Sequence, residues 1–69
     1  MKRISIANLY GIKDEMKAYM RKQGIYCFDF TWDIKHASES TDEEAARILE
    51  GKDYYLKMYN AERMEVEEI

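Results

Sequence analysis

Few side chains in this 69-residue chain could do chemistry. Cys27, Asp29, Thr31 and Asp33 fall at every second position, so on a strand they would share one face. Two carboxylates beside a thiol and a hydroxyl could line a small polar patch or hold a cation. A calcium site draws on further oxygen ligands at loop spacing, which the neighbouring sequence lacks. The single histidine, His36, has no second ligand spaced to help it hold a metal. Nucleophilic catalysis would require His36 within reach of Cys27, and nothing in the sequence arranges that. Gly11, Gly24 and Gly51 are isolated from one another, so no glycine-rich loop cradles a phosphate. The chain therefore reads as a non-enzyme with no catalytic residue, no cofactor and no metal site.

The elements that would position these residues follow from hydrophobic spacing. Ile4 and Ile6 alternate with Arg3, Ser5 and Ala7, which predicts a strand over roughly residues 3–8. Ile12, Met16, Tyr19 and Met20 follow the i, i+4, i+7, i+8 spacing of one helical stripe. With Asp14 and Glu15 in a first turn and Arg21 and Lys22 in a last, they predict a helix over roughly 12–23. Gly24 then reads as a left-handed C′ residue, with Ile25 touching Met20. In "IYCFDFTWDI", Tyr26, Phe28, Phe30, Trp32 and Ile34 alternate strictly, predicting a strand over roughly 25–34 whose aromatic side faces the core. Thr41 and Glu44 have the spacing of a capping box. Beyond them Ala45, Ile48, Leu49, Lys52, Tyr55, Leu56, Tyr59 and Val66 stay in helical phase, predicting one long helix over roughly 42–66, with a break at Gly51 as the alternative. The expected fold is a single small α+β domain of two layers in β-α-β-α order. Its two-stranded sheet, too small to stand alone, either gains another segment of the chain or has an edge completed by a partner or a second copy, and it packs on two helices, the second long.

A hydrophobic fraction of 46% is that of a folded chain. A domain near this size buries only roughly 60% of the surface its unfolded chain exposes, which favours stability shared with a partner. One cysteine cannot make an internal disulfide. No stretch resembles a signal peptide, a membrane span or a lipidation signal, so cytoplasmic residence is expected. The net charge of −3 divides unevenly, with +4 on residues 1–24 and −7 on residues 25–69. An acidic two-thirds opposes wrapping a nucleic-acid backbone and suits a basic protein surface.

Two stretches bear a likeness to nucleic-acid binders. Sheets that bind single-stranded RNA stack bases on aromatic residues at period two, and "KQGIYCFDF" resembles the aromatic strand of such a domain. Asp29 and Asp33 on the same strand oppose that use, and a domain this small needs those side chains in its core. "KRISIANLYGIKDEMKAYMRKQGI" resembles the opening of a ribbon-helix-helix repressor. That resemblance implies a dimeric DNA-binding regulator in which a basic strand carrying Lys2, Ile4 and Ile6 pairs with its dimer mate in the major groove. The family's second helix would start directly after Gly24, where this chain instead becomes most strand-like.

The long helix carries the partner surface of the leading reading. Tyr54, Met58 and Ala61 recur at i, i+4, i+7 on the side opposite Ile48, Tyr55, Leu56 and Tyr59, a second apolar face that only another molecule could cover. Glu50, Asp53, Glu62 and Glu65 flank it, with Asp42, Glu43, Glu67 and Glu68 beyond. An apolar anchor rimmed by carboxylates fits a larger basic protein, such as a nucleic-acid enzyme, with a homodimer as the other cover. In size and acidity the chain is similar to the short phage-encoded inhibitors of bacterial defence systems, anti-CRISPR proteins among them. That similarity implies an inhibitor occupying a basic, nucleic-acid-binding surface, without itself touching nucleic acid or membrane.

Overall fold

The structure, a computed structural model, describes residues 1–12, 16–24 and 27–69. Its organising element is the strand β1 (Lys2–Ala7), which has neighbours on both edges and both faces. Ile4 and Ile6 are fully buried under the helices, while Ser5 and Ala7 are buried on the opposite face, between the longer side chains of the flanking strands. Truncating Ile4 or Ile6 to alanine would cost about 2–5 kcal/mol by the usual sum of lost transfer energy and cavity.

β1 turns through Asn8 and a 3₁₀ turn (Leu9–Gly11), in which Asn8, Tyr10 and Gly11 take left-handed backbone angles. The chain returns as β2 (Lys17–Lys22), then β3 (Phe28–Thr31). A second 3₁₀ turn (Ile34–His36) leads to the helices α1 (Asp42–Glu50) and α2 (Lys52–Met58), and β4 (Arg63–Glu68) closes the chain. The result is one antiparallel sheet in the order β3-β2-β1-β4, with both helices on one face.

The expected two-stranded sheet is therefore corrected to four strands, although the domain remains α+β. Residues 17–22, assigned to a helix by spacing, form a strand because β1 supplies a ladder to pair with and Ala18 and Met20 alternate into the core. The stripe of Ile12, Met16, Tyr19 and Met20 is not one buried face, since Ile12 and Met16 are exposed. The expected first-turn carboxylates Asp14 and Glu15 lie outside the described residues, as do Ile25 and Tyr26. Gly24 is not left-handed, so no Schellman ending stands there.

The long helix over 42–66 is also corrected. At 1.5 Å per residue it would run about 37 Å, longer than the largest extent of the molecule, 29 Å. Gly51 ends α1 and begins α2. Asn60, at φ 48°, ends the second helix in a Schellman motif: the Asn60 N–H donates to the Lys57 carbonyl at 3.3 Å and the Ala61 N–H to the Leu56 carbonyl at 2.8 Å. The chain can then return to pair β4 along the whole of β1.

β1 and β2 pair only from Ser5–Ala7 to Lys17–Tyr19. Below that level Ser38–Ser40 stands between them. Lys2 and Ser40 exchange backbone hydrogen bonds of 2.7 and 2.8 Å, the Ser38 N–H donates to the Met20 carbonyl at 2.9 Å, and the Ser38 hydroxyl accepts from the Lys22 N–H at 2.8 Å. Ser40 is fully buried, and its hydroxyl has no hydrogen-bond partner among the described residues. These neighbours should respond oppositely to the same substitution. Ser38→Ala should lower the unfolding free energy by about 0.5–1.5 kcal/mol, the worth of a hydrogen bond, whereas Ser40→Ala should leave it unchanged or raise it. Urea unfolding of both variants checks this.

Candidate functional site

Thr41 opens α1 with the expected capping box. Its hydroxyl accepts from the Glu44 N–H at 3.1 Å, and the Glu44 carboxylate accepts from the Thr41 N–H at 2.8 Å. Ala45 and Ile48 then pack on Ile4 and Met20, and Leu56 and Tyr59 on Ile6, Leu9 and Ala18. Tyr55 and Tyr59 meet Phe28 and Phe30 edge to face, each pair with ring centroids 5.1 Å apart. With these inner positions committed to the sheet, the outer side of the helical layer presents Tyr54 at 65% and Met58 at 52% exposure. Tyr54 rests edge-on against Tyr55, its ring centroid 5.4 Å away.

The seven partner-contact candidates separate in space. Tyr54 and Met58 lie one turn apart on α2 with Asp53 next to Tyr54, and Glu50 is the last residue of α1, before the interruption at Gly51; all four are exposed. Ala61 instead follows the Schellman turn and packs into the cluster of Ile6, Leu9 and Ala18. The carboxylate of Glu62 accepts from Asn8 Nδ2 at 2.9 Å. Glu65 lies on β4, on the sheet face away from the helices, where Lys17 Nζ approaches it to 2.8 Å and Arg63 to 3.4 Å. The helical phase that joined Ala61, Glu62 and Glu65 to Tyr54 ends at Asn60.

The same antiparallel registers close the charge asymmetry of the sequence upon itself. Every described basic residue of the first 24 meets a carboxylate from the rest of the chain. Lys2 pairs with Glu68, Arg3 with Glu67 at 2.7 Å, Lys17 with Glu65, Arg21 with Asp29, and Lys22 with Glu44 at 2.9 Å. The Arg21–Asp29 pair is bidentate, at 3.1 and 2.8 Å, and Gln23 donates a further bond to Asp29. Pairs this exposed add little stability each, but they decide where net charge is displayed. Glu50 and Asp53 have no ion-pair partner among the described residues, and Lys52 and Lys57 beside them are likewise unpaired.

The face of the sheet away from the helices carries Asp29 and Thr31 of the polar set expected to share a strand face, together with Arg3, Lys17, Tyr19, Arg21, Glu65 and Glu67, which sequence reasoning passed over. Its central aromatic, Tyr19, has the Arg3 guanidinium 5.6 Å from its ring centroid. The alternation of Lys17, Tyr19 and Arg21 with Ala18 and Met20 is the period-two signal that could have revealed this face. Cys27 is exposed and borders a cleft of about 220 Å³ between α1 and the β2–β3 hairpin, floored by Met20, Phe28 and Ile48 and bridged by the Lys22–Glu44 pair. His36 lies 3.5 Å from Asp33. Among the described residues no three His, Cys, Asp or Glu side chains are grouped to hold a metal, and no helix is long and apolar enough to cross a membrane.

Comparison with protein-family models, curated proteins and solved structures finds no match to this chain.

The ion pairs and the cap make folding depend on acid. The Thr41 N–H, reinforced by the Lys22 ammonium, holds the Glu44 carboxyl at about 2, below its ordinary 4.5. Arg21 lowers Asp29, Lys17 lowers Glu65 and Lys2 lowers Glu68. A carboxyl with a depressed folded-state pKa stabilises fully above its unfolded value and ceases to as pH falls through the folded one. The melting temperature should therefore hold steady above about pH 5 and drop between about pH 4.5 and 2. Glu44→Gln should melt lower at neutral pH and show a shallower acid decline, as read by circular dichroism melts from pH 2 to 7.

Proposed function

We propose that this chain is a protein-binding module that engages its partner through the outer side of α2. The observation carrying this reading is the exposure of Tyr54 and Met58, one turn apart on α2, with the carboxylate of Asp53 next to Tyr54 and that of Glu50 at the end of α1. Tyrosine gives a large amphipathic contact for little lost freedom and methionine adapts to irregular surfaces, the combination that interfaces favour. Glu50 and Asp53, unpaired among the described residues, offer contacts for cations on the partner, beside the equally unpaired Lys52 and Lys57. The net charge of −3 supports the form of this reading in which that partner surface is basic and ordinarily holds nucleic acid, which would make the chain an inhibitor.

The alternative, a ribbon-helix-helix DNA-binding regulator, loses its architecture. β1 already has β2 and β4 on its two edges and cannot pair with a dimer mate, and residues 17–22 are a strand. The described cations of the basic first quarter are bound to carboxylates of the same chain.

Tyr54→Glu combined with Met58→Glu should abolish capture of a partner from cells that naturally express the chain, while the circular dichroism spectrum and melting temperature stay within error of the parent. Loss of folding, or undiminished capture, would refute the assignment of this surface. A gel shift with random duplex DNA at low salt should be blank, and a clear shift would count against a protein partner.

A further inference from the structure

The exposed aromatic strand β3 has a second surface that the reading above does not use. Phe28 and Phe30 lie on the helix-facing side of the sheet, yet they are only half-buried, and just beyond the strand Trp32 is 50% exposed and Ile34 43% exposed. They are left open because β3 is the edge of the sheet.

The direction of its free backbone groups follows from the ladder. The Gln23 N–H donates to the Cys27 carbonyl at 2.9 Å, so odd-numbered residues here face β2. Met20, opposite Phe30, turns its carbonyl the other way, to Ser38. Phe28 and Phe30 therefore aim their N–H and C=O groups outward, where no backbone group among the described residues meets them.

We propose that this edge pairs with β3 of a second copy, making one continuous eight-stranded sheet across a two-fold axis. A two-fold pairing of identical edges perpendicular to the sheet is antiparallel, and outward groups must stand opposite outward groups. Two registers then overlap the four-residue strand best. One sets Phe28 opposite Phe30 and brings the two Asp29 carboxylates face to face, which is unfavourable. The other centres on Phe30 opposite Phe30, sets Phe28 opposite Trp32, and puts Asp29 opposite the neutral Thr31. It separates the carboxylates and covers the open aromatic stripe with its own symmetry mate.

The opposite edge of the sheet is not equivalent. β4 carries Glu65, Glu67 and Glu68, a charged edge of the kind that resists strand addition. A contact as short as β3 implies weak association, with a dissociation constant on the order of micromolar or above.

Sedimentation across concentration should show a reversible monomer–dimer equilibrium. Thr31→Lys, which places a cation opposite each Asp29 of the second copy, should tighten it, and Thr31→Asp should weaken it, each by about 2- to 30-fold over the two symmetric pairs. Hydrogen exchange at the Phe28 and Phe30 amides should slow as concentration rises. A chain monomeric up to millimolar concentration overturns the proposal. So does a dimer in which those amides stay unprotected, or one that tightens with Thr31→Asp. The dimer should survive Tyr54→Glu with Met58→Glu, and partner capture should survive Thr31→Asp, so failure of either surface is separable from failure of the other.

Discussion

β1 must be satisfied on four sides at once, and the remaining elements are placed by that requirement. Its edges are taken by β4 along its whole length and by β2 with the Ser38–Ser40 segment in succession. Its faces bury Ile4 and Ile6 on one side and Ser5 and Ala7 on the other. An interior strand cannot leave backbone groups unmet without a cost comparable to a lost hydrogen bond for each, so the chain has to return after the helices to supply β4. The return sets the length of α1 and α2, and hence which of their residues face out.

Charge follows from the same pairing. A sequence that separates a basic quarter from an acidic remainder suggests two displayed surfaces of opposite sign. Antiparallel registers instead set Lys2 against Glu68, Arg3 against Glu67 and Arg21 against Asp29, and Lys17 reaches across β1 to Glu65. What remains for recognition includes two exposed apolar groups, Tyr54 and Met58 outside α2 and the aromatic stripe at the β3 edge. The two lie on different elements, so one molecule could hold a partner and a copy of itself together.

The aromatic stripe shows how a correct local reading can carry a wrong tertiary one. Phe28 and Phe30 do lie on a strand and pack against the helices, but the strand expected over 25–34 ends at Thr31, and Trp32 and Ile34, expected to face the core, are exposed beyond it. Alternation says nothing about whether a strand lies at the centre or the edge of its sheet. The short, modestly patterned β1 took the centre because small Ser5 and Ala7 let its second face be covered, while the aromatic strand was left at the rim with its outer flank open.

Local chemistry was legible wherever the interaction is short in sequence. The Thr41–Glu44 capping box, the interruption available at Gly51 and the amphipathic inner face of α1 are all decided within a few residues, by hydrogen bonds and spacing that the sequence itself contains. Residues 17–22 and 63–68 were not legible in that way, because Lys17–Lys22 and Arg63–Glu68 fit either a helical or an extended pattern and only a neighbouring strand selects between them. The same holds for Ala61, Glu62 and Glu65, drawn away from Tyr54 by the left-handed Asn60 and the return to β1. The sequence by itself determined the Thr41–Glu44 cap and which residues are apolar. Tertiary structure decided which extended segments pair, which charges cancel and which apolar residues stay exposed, since each of those depends on a ladder partner distant along the chain.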